Sequence, residues 1–232
     1  MREFTTILWD VDGTLLDFFY SQRFAMKQCF RTIGRNVTDE MIQRYSEIND
    51  SYWKKLELGQ ITKKELLTAR FHTFFEEYGI RDVDVEAFRR EYQEALGNVY
   101  SFVDDSLTIC KSLQGRVKQY VITNGVTETQ KRKLKLSGLS EMMDGLFISE
   151  EIGAPKPKKE FFDYCLERVE EKDKSKILIV GDSLSSDIKG GVLAGIPTCW
   201  YRSEDVENHT EFIPDYEIDD LHRIYDILNM FG

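Results

Sequence analysis

The stretch that most constrains this chain runs from Ile7 to Asp17 and reads Ile-Leu-Trp-Asp-Val-Asp-Gly-Thr-Leu-Leu-Asp. Thr5, Ile7, Trp9 and Val11 share one face of a strand. The run Thr6-Ile7-Leu8-Trp9 also fits a strand buried on both faces, the pattern of a central parallel strand. Gly13 lets the chain turn sharply where that run stops. Asp10 and Asp12 therefore fall at the carboxyl end of a central strand, the edge at which open α/β sheets bind ligands. Two carboxylates one residue apart repel each other unless a cation lies between them. A divalent metal with oxygen ligands meets that need. The plain alternative is a D-G turn with two solvated acids. D-x-D alone is a weak signal, but D-x-D-G-T-L directly behind an apolar strand is far more specific.

Bulk properties narrow the function classes. A chain of 232 residues holds one good-sized domain, or a domain with a smaller one inserted. Its net charge of −10 argues against binding nucleic acid or an anionic membrane, both of which call for basic patches. An anionic small substrate stays compatible, because a metal and a lysine reverse the local field. Cys29, Cys110, Cys165 and Cys199 show no C-x-x-C spacing and read as buried thiols of a reducing compartment. His72, His209 and His222 are poor material for a zinc enzyme or a Ser-His-Asp triad. No apolar leader precedes Asp10 and no window is apolar enough to span a membrane, so a cytoplasmic protein is expected.

After Asp17 the periodicity changes. From Phe18 to Asn98 there is no convincing strand. Phe19, Tyr20, Phe24, Met26, Cys29 and Phe30 recur at helical spacing. Thr38 or Asp39 caps a second helix carrying Ile42, Tyr45, Ile48, Tyr52 and Trp53. Thr62-Lys63-Lys64-Glu65 is a capping box opening a third, and a fourth runs from Val85 to Leu96. Of the aromatics here, Phe19, Tyr20, Tyr45, Tyr52 and Trp53 read more readily as core than as ligand stackers. From Tyr100 strands and helices alternate. Strands are expected at 119–123, 146–148, 176–182, 197–201 and 216–218, with helices at 107–113, 128–136, 160–169, 187–193 and 221–230. Such alternation implies a doubly wound, Rossmann-like parallel sheet. Residues 1–17 and 99–232 form this α/β core, and 18–98 is an inserted all-helical domain.

Three later segments carry chemistry. Thr123-Asn124-Gly125 ends a strand, where a hydroxyl, an amide and free backbone N–H groups suit a phosphate, although a β-turn is the default. Lys156 is bracketed by Pro155 and Pro157, whereas Lys158 and Lys159 read as solvated. Gly181-Asp182-Ser183 ends another strand beside a metal-binding candidate, Asp182. Asp187 then stands at a helix head, where a dipole partner is the plain reading.

In order, D-V-D-G-T-L, I-T-N-G, the Lys156 segment and V-G-D-S-x-x-x-D resemble the four motifs of the haloacid dehalogenase (HAD) superfamily across the whole core. The helical insertion resembles that superfamily's C1 cap. The segments Gly181–Trp200 and Pro214–Ile218 are similar to its pyrimidine 5′-nucleotidase branch. The resemblance implies Asp10 as nucleophile and Asp12 as general acid and base, with Lys156 catalytic. It implies Thr123, Asn124, Gly125 and Lys156 at the phosphate, and Asp10, Asp12, Asp182 and Asp187 at Mg2+. The substrate implied is a small phosphate monoester, of nucleotide type by branch, with oligomeric state left open. A phosphatase or mutase acting on sugar phosphates or phosphoglycolate stays open. So does a non-catalytic interaction protein on the same fold.

Overall fold

The computed structural model describes residues 3–202 and 207–230. Its sheet has six strands in the order β3-β2-β1-β4-β5-β6, and every paired neighbour is parallel. The strands are β1 (Thr6–Trp9), β2 (Lys118–Thr123), β3 (Gly145–Ile148), β4 (Ile177–Gly181), β5 (Thr198–Tyr201) and β6 (Tyr216–Ile218). β1 lies between β2 and β4, with Trp9 in register with Val121 on one side and Val180 on the other. All four residues of β1 and all five of β4 are buried, the signature of strands covered on both faces. The strand order reverses between β1 and β4, and ligands gather at such switch points in open sheets.

Two contact-defined units divide the chain. One comprises Met1–Asp17 with Ser101–Gly232 and holds the whole sheet; the other is Phe18–Tyr100. The second unit is all helical: α1 (Phe18–Thr32), α2 (Asp39–Glu57), α3 (Lys63–Glu77) and α4 (Val85–Gly97). Thr38 caps α2 through Met41 N, and Thr62 with Glu65 forms both bonds of a capping box on α3. The core of this unit gathers Met26 with the rings of Phe30, Tyr45, Phe71, Phe74, Phe88 and Tyr92, which meet one another in edge-to-face and stacked contacts.

The α/β unit adds α5 (Ser106–Leu113), α6 (Thr127–Ser137), α7 (Ser149–Ile152), α8 (Lys159–Arg168), α9 (Lys189–Ala194) and α10 (Ile224–Ile227). Three local expectations need correction. In α1 the buried face is Ser21, Gln22, Ala25, Met26, Cys29 and Phe30, whereas Phe19, Tyr20 and Phe24 are exposed. The segment expected to start a helix at Asp187 is instead a π-helical turn, Leu184–Ile188, leading into α9. The expected terminal helix at 221–230 contracts to a 3₁₀ turn, Leu221–Arg223, and the single turn of α10. Among the described residues, no helix is long and apolar enough to cross a membrane.

Candidate active site

The site is built at the carboxyl ends of β1, β2 and β4. Asp10 follows β1 directly, and its backbone N–H donates to the carbonyl of Val180 at 2.9 Å, so it is anchored to β4. The turn after it closes through Gly13 N to Leu16 O at 2.8 Å. Gly13 has φ +90°, and a Cβ there would lie 2.8 Å from the Asp182 carboxyl carbon. Only glycine satisfies both demands, which is why the Asp12-Gly13 turn brings Asp182 alongside. Thr14 is fully buried and its hydroxyl donates to Asp182 at 3.4 Å. The indole N–H of Trp200 donates to the Asp182 carbonyl at 2.9 Å.

Lys156 is the hub. Only 1% exposed, it donates to Asp10 Oδ1 at 2.6 Å, to Asp187 Oδ1 at 2.7 Å and to the carbonyl of Ile122 at 2.9 Å. Its three ammonium donors thus meet three acceptors. Asn124 holds the lysine's backbone: its amide donates to the Lys156 carbonyl at 3.0 Å and accepts from the Lys156 N–H at 2.9 Å. Both ends of that amide are engaged with the main chain, so the side chain fastens the lysine loop to the end of β2. Thr123 is buried, and its hydroxyl accepts from Gly125 N at 3.0 Å. Asp187, in its π-helical turn, accepts from Ser183 N at 3.2 Å through its other oxygen.

Electrostatics follow from the crowding. Burial pushes the Asp10 carboxyl up to about 7 against the pull of Lys156, with Asp187 and Asp12 adding to the rise. Desolvation by surrounding protein, then the charges of Asp10 and Asp187, raise Asp182 well above the usual carboxylate range, although the residue reaches solvent. Burial works against the Lys156 charge, but Asp10 and Asp187 more than offset it and hold the ammonium above the ordinary lysine range. Carboxylate oxygens of Asp10, Asp182 and Asp187 lie within 4.8 Å of one another. All are hard donors, and their mutual repulsion is what a divalent cation relieves; this suits Mg2+, which binds few carboxylates and keeps waters and substrate oxygens. The Asp12 carboxylate stands outside that cluster, aimed at α6.

Two residues were missed in the sequence. Lys133 Nζ donates to Asp12 Oδ1 at 2.6 Å, and the Gln130 amide donates to Asp12 Oδ2. A signal existed: helical spacing places Gln130 and Lys133 with Thr129, Leu134 and Ser137, and all five are buried. The basic look of α6 hid a lysine that faces inward.

The family model of the haloacid dehalogenase-like hydrolases matches residues 4–195. The crystal structure of YfnB from Bacillus subtilis, a HAD-hydrolase described as bound to magnesium, is similar with a TM-score of 0.93. It shares 37% identity and the match covers 98% of this chain and 100% of that one. The pyrimidine 5′-nucleotidase PynA of Streptococcus pneumoniae is 34% identical over 96% of this chain and 94% of its own. The pyrimidine 5′-nucleotidase YjjG of Escherichia coli is 31% identical over 96% of each.

Proposed function

This chain belongs to the haloacid dehalogenase-like hydrolase family, and we propose that it is a Mg2+-dependent phosphatase of nucleoside 5′-monophosphates, pyrimidine ones preferred. The observation that carries the reading is the buried lysine Lys156 clasping Asp10 and Asp187 at the switch point of the sheet, with Asp182 beside them. The nucleotide preference rests on the two nucleotidase relatives. The helical unit, Phe18–Tyr100, is assigned as the family's cap.

In this mechanism an Asp10 oxygen attacks phosphorus. The bond from phosphorus to the leaving oxygen breaks, and that oxygen takes a proton from Asp12. Asp12 then removes a proton from water, which attacks the aspartyl-phosphate, releasing inorganic phosphate and restoring the Asp10 carboxylate. The Thr123–Gly125 turn binds phosphoryl oxygens, Lys156 joins it by exchanging one of its three present acceptors for a phosphoryl oxygen, and Asn124 keeps Lys156 in place. Asp10 and Asp182, with Asp187 and the Asp12 main-chain carbonyl, hold Mg2+, which supplies charge neutralisation at the phosphoryl group.

The test compares kcat/KM for UMP, dTMP, AMP and glucose 6-phosphate at one Mg2+ concentration. UMP and dTMP are expected to lead, excess EDTA to stop turnover reversibly, and Asp10→Asn to abolish it in a folded protein. A sugar phosphate ahead of every nucleotide refutes the nucleotidase assignment. Undiminished turnover in EDTA, or in Asp10→Asn, refutes the mechanism.

A further inference from the structure

Lys133 is a buried cation outside the Asp10–Lys156 cluster. Its side chain is 1% exposed, and its ammonium lies 2.6 Å from Asp12 Oδ1, a carboxylate 24% exposed. The Gln130 amide reaches the other oxygen of the same carboxylate. Both donors sit one turn apart on α6, the helix that begins just past the Thr123-Asn124-Gly125 turn. A lysine on the inward face of a helix is costly unless paired, and an apolar residue would fill that space at less cost. A second observation ties the arrangement to the turn itself. A Cβ on Gly125 would lie 2.6 Å from Gln130 Cγ, so Gln130 crosses the space that this glycine leaves open.

We propose that Lys133 and Gln130 are positioning residues that clamp the Asp12 carboxylate for proton exchange with the leaving group. This rests on the assignment of Asp12 above. An aspartate following a strand end has two free side-chain torsions, and donors from a single rigid helix fix both of its oxygens. Each carboxylate oxygen has two acceptor positions, so the clamp leaves room for the proton that Asp12 hands over as the phosphorus–oxygen bond breaks. Because α6 also follows the phosphate turn, one element sets the place of the phosphoryl group and the direction of the proton donor together.

The experiment measures kcat/KM, which reports the step expelling the leaving group, for UMP and for p-nitrophenyl phosphate. The first leaving group needs a proton; the second departs without one. Lys133→Met and Gln130→Met are each expected to lower kcat/KM for UMP at least about tenfold and to lower that for p-nitrophenyl phosphate much less. Mg2+ affinity by calorimetry should stay at the wild-type value, and Lys133→Arg should recover part of the UMP activity. If Lys133→Met does not fold, Gln130→Met carries the test alone, since it removes no charge. Equal losses on both substrates, or no loss on either, overturn the clamp. A wild-type enzyme without phosphatase activity, or a fully active Asp12→Asn, overturns instead the reading on which the clamp rests.

Discussion

Asp10 is raised to about 7 from an ordinary value of 3.8, first by burial, and Asp182 moves in the same direction. The sign of the consequence is fixed. Between those two values the folded, metal-free protein binds a proton at Asp10 that the unfolded chain releases, so stability falls as pH rises from about 4 to about 7. Above that window Asp10 is charged at a cost that Mg2+ removes; within it the ion must displace a proton. Thermal melts with Mg2+ against EDTA should therefore show a larger stabilisation by Mg2+ at pH 8 than at pH 5. Equal shifts at the two pH values would falsify this account. At this scale the sequence announced residues whose neighbours are diagnostic: Asp10 and Asp12 in D-x-D-G-T, Lys156 between two prolines. Lys133 stayed hidden because its partner, Asp12, is distant in the chain. The hold of Asn124 on the Lys156 backbone stayed hidden as well, because that engagement is also long-range.

Elements were legible where the determinants are local. Thr62 and Glu65 spell a capping box, and both reciprocal bonds form, Glu65 N to the Thr62 hydroxyl at 3.3 Å and Thr62 N to Glu65 at 2.7 Å. Thr62→Ala should lower stability by about 1 kcal/mol in a urea melt, with kcat unchanged. No loss there means that the start of α3 is held by packing alone. Elements shaped by distant partners were not legible. The π-helical turn at Leu184–Ile188 has Asp187 bonded to Ser183 N on one side and to Lys156 on the other. Likewise α1 buries Ser21 and Gln22 and exposes Phe19 and Tyr20, a choice that hydrophobicity alone reverses. In α3, Arg70 is buried, bonded to Asn49 at 2.5 Å and laid over the rings of Phe71 and Tyr92, none of which its periodicity announces.

At the scale of the whole chain, the insertion leaves and re-enters at one point. Asp17 N donates to Ser101 O at 2.9 Å, Val103 N donates to Leu15 O at 3.1 Å, and Leu16 bridges Phe102 in antiparallel fashion. Residues on either side of Phe18–Tyr100 are thus already paired as the stem of a hairpin. A short Asn-Gly loop suits a stem of that kind. Every residue assigned to the phosphate or the metal, from Asp10 to Asp187, belongs to the α/β unit. The helical segment in turn has its own buried cluster of fifteen residues, enough to order four helices around Phe30, Phe71 and Tyr92. Two separate proteins should therefore result from one cut. The chain in which Asn-Gly replaces 18–100 should melt cooperatively and bind Mg2+ in calorimetry with Asp10→Asn as the non-binding control. The excised 18–100 segment should show a helical circular dichroism spectrum and a cooperative melt of its own. If the shortened core stays unfolded, the division by contacts is not a division of stability, and the sheet draws on the insertion to fold. If it folds without binding Mg2+, the cluster of Asp10, Asp182 and Asp187 is insufficient for the metal, and a further ligand has to come from outside the α/β unit.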